Sequence, residues 1–199
     1  MMNKPNAPSC EQNQQVILDV LKTLFIEPGD VLEIGSGTGQ HAVFFTEYLP
    51  HLIWQPGDLE AEHAGMKMWL DEVIHNRIKQ PLVLDVDMPF WSVDKKDYIF
   101  TANTTHIISL AQAEKMLSHV GKYLKQGGLF AQYGPFNYNG NYTSESNANF
   151  DVWLKQRNPY SCIKDFETIE SFANQNGMKL LKDIEMPANN RILVWQKNS

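Results

Sequence analysis

A chain of 199 residues with 43% hydrophobic and 11% aromatic side chains has the composition of a globular protein, long enough for one domain across 1–199 without disulfide staples. Its net charge of −6, with no cluster of Lys or Arg interleaved with aromatics, argues against nucleic acid as a partner, and no apolar run reaches membrane-spanning length. Cys10 and Cys162 stand far apart without a metal-ligand spacing, and the first residues lack the apolar core of a secretory signal; the expectation is a cytoplasmic protein with reduced thiols and no metal.

Residues 1–10, rich in Pro, Asn and Ser, read as a mobile arm, after which Ile17, Leu18, Leu21, Leu24 and Phe25 fall at helical spacing over about 11–25. Val31 to Ile34 reads as a buried strand. It runs into Gly35-Ser36-Gly37-Thr38-Gly39, whose alternating glycines let the backbone turn sharply and approach a ligand closely. Ala42 to Leu49 forms a helix stopped by Pro50, and 51–55 is a second strand ending in Pro56-Gly57-Asp58. A helix from Leu59 to Asn76, a strand over 81–86 with Asp85 near its end, and a fourth strand over 98–103 follow.

Ser109-x-x-Gln112 is a capping box opening a helix over 110–125, which Gly127-Gly128 ends before a fifth strand, 129–133. The segment 134–149, rich in Asn, Ser, Tyr and Gly, reads as a long polar loop at the carboxyl edge of a parallel sheet, a substrate lid. Helices near 148–157 and 166–176 precede strands at 178–184 and 191–196, which a short turn makes antiparallel. The alternation predicts an α/β fold: a doubly wound, Rossmann-like sheet of seven mostly parallel strands, helices on both faces, and a C-terminal antiparallel hairpin.

The glycine spacing narrows the ligand. A dinucleotide fingerprint would place its third glycine at Gln40, whereas this loop is G-x-G-x-G. With Glu33 two residues ahead, E-x-G-x-G-x-G resembles motif I of the class I S-adenosylmethionine (SAM) methyltransferases. A carboxylate repels a pyrophosphate but attracts a sulfonium and an amino group. A ligand-free turn is the alternative reading of the same glycines. Asp58, 19 residues beyond Gly39, stands where the acid closing the second strand accepts ribose hydroxyls, and Asp85 ends the third strand at the same edge, within reach of an adenine amino group. Both also suit helix or turn capping. The expected cofactor contacts are Glu33, Gly35, Ser36, Gly37, Gly39, Asp58, Asp85, Val86 and Asn103, with SAM as cofactor and S-adenosylhomocysteine as its product.

From about Ser9 to Lys197 the chain resembles the methyltransferase-like 26 family, on VLEIGSGTGQHA (31–42), Leu49-Pro50-His51-Leu52, Trp54-Gln55-Pro56, Tyr133-Gly134-Pro135-Phe136, Ser146-Asn147-Ala148-Asn149-Phe150-Asp151 and Met186-Pro187-Ala188-Asn189-Asn190. The resemblance implies a Rossmann-like methyltransferase fold and SAM binding, and no particular substrate. Gln12-Asn13-Gln14 replaces an Arg-Asn-Lys-like sequence, Gly57 a common serine, and Lys164 an arginine before Asp165.

Methyl transfer from a sulfonium is an in-line displacement that needs a base only when the nucleophile must shed a proton. His106, just beyond the fourth strand, is the first candidate base and Tyr133 the second; a polar-satisfied core position is the alternative for His106, and loop support that for His41. Tyr142 and Asn147 in the lid, with Asn189 and Asn190 at the terminal turn, are the candidate substrate contacts, although Asn is also a routine turn residue. Three functions fit: a SAM-dependent methyltransferase acting on a small molecule, a non-catalytic SAM- or partner-binding domain, and a nicotinamide-dependent oxidoreductase, which Gln40 and Glu33 disfavour. The sequence does not disclose an oligomeric state.

Overall fold

The first helix starts where proline permits. In the computed structural model, which describes residues 3–198, α1 spans Pro8–Leu24 with proline in its first turn, where its missing N–H costs nothing, and it buries Ile17, Leu18, Leu21 and Leu24. The expected arm over 1–10 is therefore shorter: Asn3 to Ala7 precede the helix and are tied to the body by hydrogen bonds to Gln40 and Trp69, while residues 1 and 2 lie outside the described part.

Strand β1 (Gly29–Ile34) leads through the glycines into α2 (Gln40–Tyr48), and β2 (Leu52–Asp58) pairs parallel to β1. The helix expected over 59–76 is only a short 3₁₀ turn, Glu60–Glu62, and α3, His63–Leu70. Beyond Leu70 the chain caps at Asp71, and Ile74 is fully exposed. Strand β3 is confined to Leu82–Val83; the bond from Leu84 N–H to the Asp58 carbonyl is its last rung on β2, and the chain then turns, with Met88 N–H on the Asp85 carbonyl.

Strand β4 (Lys96–Ala102) is followed by α4 (Leu110–Tyr123), opened by the capping box between Ser109 and Gln112 that its sequence announces. Strand β5 (Leu124–Gly134) starts at once, so Gly127 and Gly128 lie inside it rather than before it. Its register on β4 jumps from Lys96↔Leu124 to Tyr98↔Leu129; the extra residues bulge out, with Gly127 at φ +74°.

The polar stretch after β5 holds more order than a loop. Strand β6 (Phe136–Asn137) pairs with β7 (Lys164–Asp165), Tyr138 and Asn141 close a turn, and α5 (Glu145–Arg157) begins at a Ser144 cap. Helix α6 (Phe166–Gln175), β8 (Met178–Met186) and β9 (Asn190–Lys197) complete the chain.

The main sheet has seven strands in the order β3-β2-β1-β4-β5-β9-β8, parallel except for β9, which is antiparallel to both its neighbours. Successive residues of its central strands feed two cores. Leu32, Ile99, Phe130 and Trp195 pack with α4 and α6, while Val31, Phe100, Ala131 and Val194 pack with α1 and α2. Burial on both faces is why β1 reads as a run of apolar residues instead of an alternation. The order reverses between β1 and β4, so a crevice opens beyond their carboxyl ends.

Candidate functional site

A cavity of about 370 Å³ occupies that crevice, within the range of small-molecule sites. Every strand end from β1 to β4 contributes: Gly35 from β1, Asp58 from β2, Asp85 and Val86 after β3, and Asn103 after β4. The sequence had placed these residues at one edge of the sheet, and the fold brings them around one space.

The glycine loop sits tightly against its neighbours. Gly35 has φ +72°, and a Cβ there would stand 2.3 Å from Thr104 Oγ1, so neither backbone nor space admits a side chain. Gly37, by contrast, has no atom within 4 Å of where a Cβ would be. Its N–H donates to Asp58 Oδ2 at 2.6 Å, while Asp58 Oδ1 accepts from Leu59 N–H at 2.7 Å. Asp58 thus latches the loop and still offers a second acceptor direction on each oxygen. Asp85 likewise accepts from Asp87 N–H at 2.8 Å.

Asn103 stands at φ 59°, a left-handed conformation uncommon outside glycine, held by its N–H on the Tyr133 carbonyl at 3.0 Å. Strain of this kind concentrates where side chains are presented to ligands. The cavity's charge is one-sided. Asp58, Asp85 and Asp87 line it, with no Lys or Arg among the lining residues, and Asp87 is kept below the usual carboxylate range by hydrogen bonds from Lys115 and Gln112.

Other expected cofactor residues lie elsewhere. Glu33 is 1% exposed and points to the α2 side of the sheet, where Oε2 accepts from Trp54 Nε1 at 2.8 Å and Oε1 lies 4.0 Å from His41 Nδ1. Burial pushes its carboxyl up to about 7. It supports the loop from beneath and does not line the cavity, because strand alternation gives it the same face as Val31. Ser36 acts similarly: its Oγ accepts from Gly57 N–H at 3.0 Å, stitching β1 to β2. Gly39 packs on α3, a Cβ there falling 2.8 Å from Met66 Cγ. Gly57 has the same origin, since a Cβ would lie 2.8 Å from Leu84 Cδ1.

The candidate bases are buried away from the cavity lining. His106 is 5% exposed, meets Phe150 edge-on with ring centroids 5.2 Å apart, and its Nδ1 has no partner among the described residues; burial and then the Lys164 ammonium lower it to about 4. Tyr133 faces α1, beside Asn13 and Asn190, with its hydroxyl raised chiefly by burial. Lys164 donates to the Ile108 carbonyl at 2.6 Å and to that of Cys162 at 3.1 Å, so a single ammonium serves there and no bidentate carboxylate contact is lost with the arginine.

The candidate substrate contacts are also engaged internally. Tyr142 donates to Asp151 at 2.7 Å, Asn147 donates to Thr143 and to the Asn189 carbonyl, Asn189 donates to Ser146, and Asn190 donates to the Pro187 carbonyl. Asn189 and Asn190 line a separate concavity with Thr143 and Arg191, and none of the four candidate contacts lines the cavity at the switch point. Sequence reasoning missed the rest of the lining, Ile34 and Ala102 within the strand ends, Leu59, Leu84, Asp87, Thr104, Ile107 and Ile108 beyond them, and Gln112; position at or after a strand end was the signal for all but Gln112, which the capping box marked.

The model of the DUF938 family, a protein family of unknown function, matches residues 4–197. The chain belongs to this family. This DUF938 chain shares its fold with an O-methyltransferase family protein from Burkholderia thailandensis (TM-score 0.84, 15% identity, 96% of this chain and 58% of that one). It is also similar to human N-acetylserotonin methyltransferase in complex with SAM (TM-score 0.80, 12% identity, covering 96% and 53%). A third match is an O-methyltransferase family 2 protein from Planctomyces limnophilus in complex with apigenin (TM-score 0.74, 12% identity, covering 92% and 61%). The DUF938 chain therefore spans little more than half the length of these proteins. What the likeness shows is the Rossmann-like fold of the class I methyltransferases: a seven-stranded, mostly parallel sheet closed by an antiparallel hairpin.

Proposed function

We propose that this chain is a SAM-dependent methyltransferase acting on a small-molecule acceptor; the resemblance to the methyltransferase-like 26 family implies the fold and SAM binding, and no particular substrate. The observation that carries the reading is the cavity at the sheet's switch point, lined by Asp58 and Asp85 with no Lys or Arg among its lining residues, while Asp87 at its rim is paired with Lys115. Such a wall repels the pyrophosphate of a dinucleotide and favours a ligand bearing a sulfonium and an ammonium. The residues fit that ligand: Gly35 lets the loop backbone approach it, Asp58 accepts from ribose hydroxyls, Asp85 accepts from the adenine amino group, and Leu84, Val86 and Ile108 cover apolar surface, whereas Gly37 lines the concavity on the α3 side of the loop. When bound, SAM supplies a methyl group activated on sulfur for in-line displacement. Asn103 and Thr104, at the end of β4, fix the far wall, and positioning of this kind is where most of the rate would originate.

The class of acceptor is drawn from the solved relatives. One holds apigenin and another is named for N-acetylserotonin, both small molecules. A second reading rests on one observation: neither His106 nor Tyr133 reaches the cavity, as suits a SAM-binding domain without catalysis or an acceptor that needs no base. Thermal shift with SAM, S-adenosylhomocysteine and NAD separates the cofactors, since a ligand at 100 times its dissociation constant adds about 2.7 kcal/mol to stability. Stabilisation by either sulfur compound but not NAD is expected; stabilisation by NAD alone would overturn the reading. Transfer of label from SAM to a metabolite in an extract then distinguishes enzyme from binding domain.

A further inference from the structure

Gln40 stands where a dinucleotide fold has its third glycine, yet it is 4% exposed and its side-chain amide makes three hydrogen bonds. Oε1 accepts from Ala7 N–H at 2.7 Å and from Thr38 Oγ1 at 2.8 Å, while Nε2 donates to Asn6 Oδ1 at 2.8 Å. Ala7 and Asn6 belong to the segment before α1, and Thr38 belongs to the glycine loop. One side chain therefore joins the two.

The same segment reaches the loop by a second route. Trp69 Nε1 donates to the Pro5 carbonyl at 2.7 Å, and Pro5 lies so close to α3 that a Cβ on Gly65 would stand 2.8 Å from its Cγ. The ammonium of Lys4 sits 3.6 Å over the Trp69 ring. Helix α3 in turn packs Met66 onto Gly39. Asn3 and Pro5 share a concavity of about 260 Å³ with Gly37 and Thr38, on the side of the loop that faces α3. Glycines give a loop many conformations, and something must restrict them if the loop is to meet a ligand in one shape.

We infer that Gln40 is a positioning residue which, through Asn6 and Ala7, straps residues 3–7 across the glycine loop and holds it in the shape that receives the cofactor. The inference rests on the SAM reading above. Binding energy that would otherwise be spent ordering the loop is kept, so the strap acts on ligand affinity more than on the fold.

The test is a double-variant cycle on Asn6→Ala and Gln40→Ala, read by calorimetric titration of S-adenosylhomocysteine and by thermal unfolding without ligand. Loss of the amide's hydrogen bonds in Gln40→Ala should weaken binding roughly tenfold and Asn6→Ala about threefold. The double variant should bind no more weakly than Gln40→Ala, because both remove one connection. Asn6 is exposed, so its variant carries the test if Gln40→Ala does not fold. Affinities within twofold of the wild type in both variants, with only the ligand-free melting temperature lowered, would overturn the strap and leave the SAM reading intact. Independent, multiplying losses would overturn the Asn6–Gln40 link. A wild-type chain that binds no S-adenosylhomocysteine removes the SAM reading and this inference together.

Discussion

Asp58 closes the glycine loop on itself: its Oδ2 takes the Gly37 N–H at 2.6 Å while its Oδ1 takes that of Leu59 at 2.7 Å. The carboxylate that caps its own loop is also part of the cavity wall. Asp58→Ala leaves the Gly37 N–H unpaired, which costs about 1–2 kcal/mol of stability, and should weaken S-adenosylhomocysteine at least tenfold. Asp58→Asn keeps one acceptor, enough for the Gly37 N–H but not also for that of Leu59, so its melting temperature should fall less than that of Asp58→Ala while affinity falls as well. Calorimetry and thermal unfolding of the pair separate the two duties.

Gly35→Ala meets two obstacles, a φ of +72° and Thr104 Oγ1 at 2.3 Å from the new Cβ. Gly127→Ala meets only the first, with φ +74° and open space. The control should lose about 1–2 kcal/mol from the backbone conformation alone and bind ligand normally. The Gly35 variant should lose more stability and its affinity too, because the loop must move away from β4 to fit the methyl group. Equal losses in both would show that the packing against Thr104 is dispensable.

Stability should pass through a maximum near neutral pH. Burial raises the Glu33 carboxyl from 4.5 to about 7, so between those values the native state holds a proton the unfolded chain has released, and stability falls as pH rises through about 7. The full penalty above that point is on the order of 3 kcal/mol. His41 and His106 act at the other end. Burial lowers both from 6.5 to about 4, the unfolded chain takes up protons first, and stability falls as pH drops below about 6.5. Glu33→Gln keeps an acceptor for Trp54 Nε1 and should be more urea-resistant than the wild type at about pH 8.5, with little change near pH 5. No gain at the higher pH would show that the buried carboxyl is not the source of the alkaline limb.

His106 is expected to serve the fold. Truncating a buried ring packed on Phe150 should cost about 1–3 kcal/mol, and His106→Ala should bind S-adenosylhomocysteine within twofold of the wild type. A loss of affinity tenfold or larger would bring this side chain back to the cofactor.

Sequence spacing reached the sheet, its hairpin and one lining residue or more from each strand end at the cavity, because strand ends in a parallel sheet must collect at one edge, whatever joins them. Asp58, Asp85 and Asn103 were legible for that reason. Which face a side chain takes within the last turn of a strand was less legible: Glu33 looked like a ligand contact and lies beneath the loop, bonded to Trp54. His106 and Tyr133 failed as cavity residues for the same cause, since a position beyond a strand end does not say which core the side chain enters. The asparagines 147, 189 and 190 carried a turn's composition and perform a turn's work, bonding one another's segments. Gln40 was noticed only as a missing glycine; its partners at Asn6 and Ala7, 34 and 33 residues away in sequence, became visible in three dimensions.

Calorimetric titration of the wild-type chain with S-adenosylhomocysteine, repeated with NAD, tests the central claim most directly. The account predicts one saturable site for the sulfur compound, lost or greatly weakened in Asp58→Ala, and no binding of NAD. Binding of NAD with no heat from S-adenosylhomocysteine would contradict it.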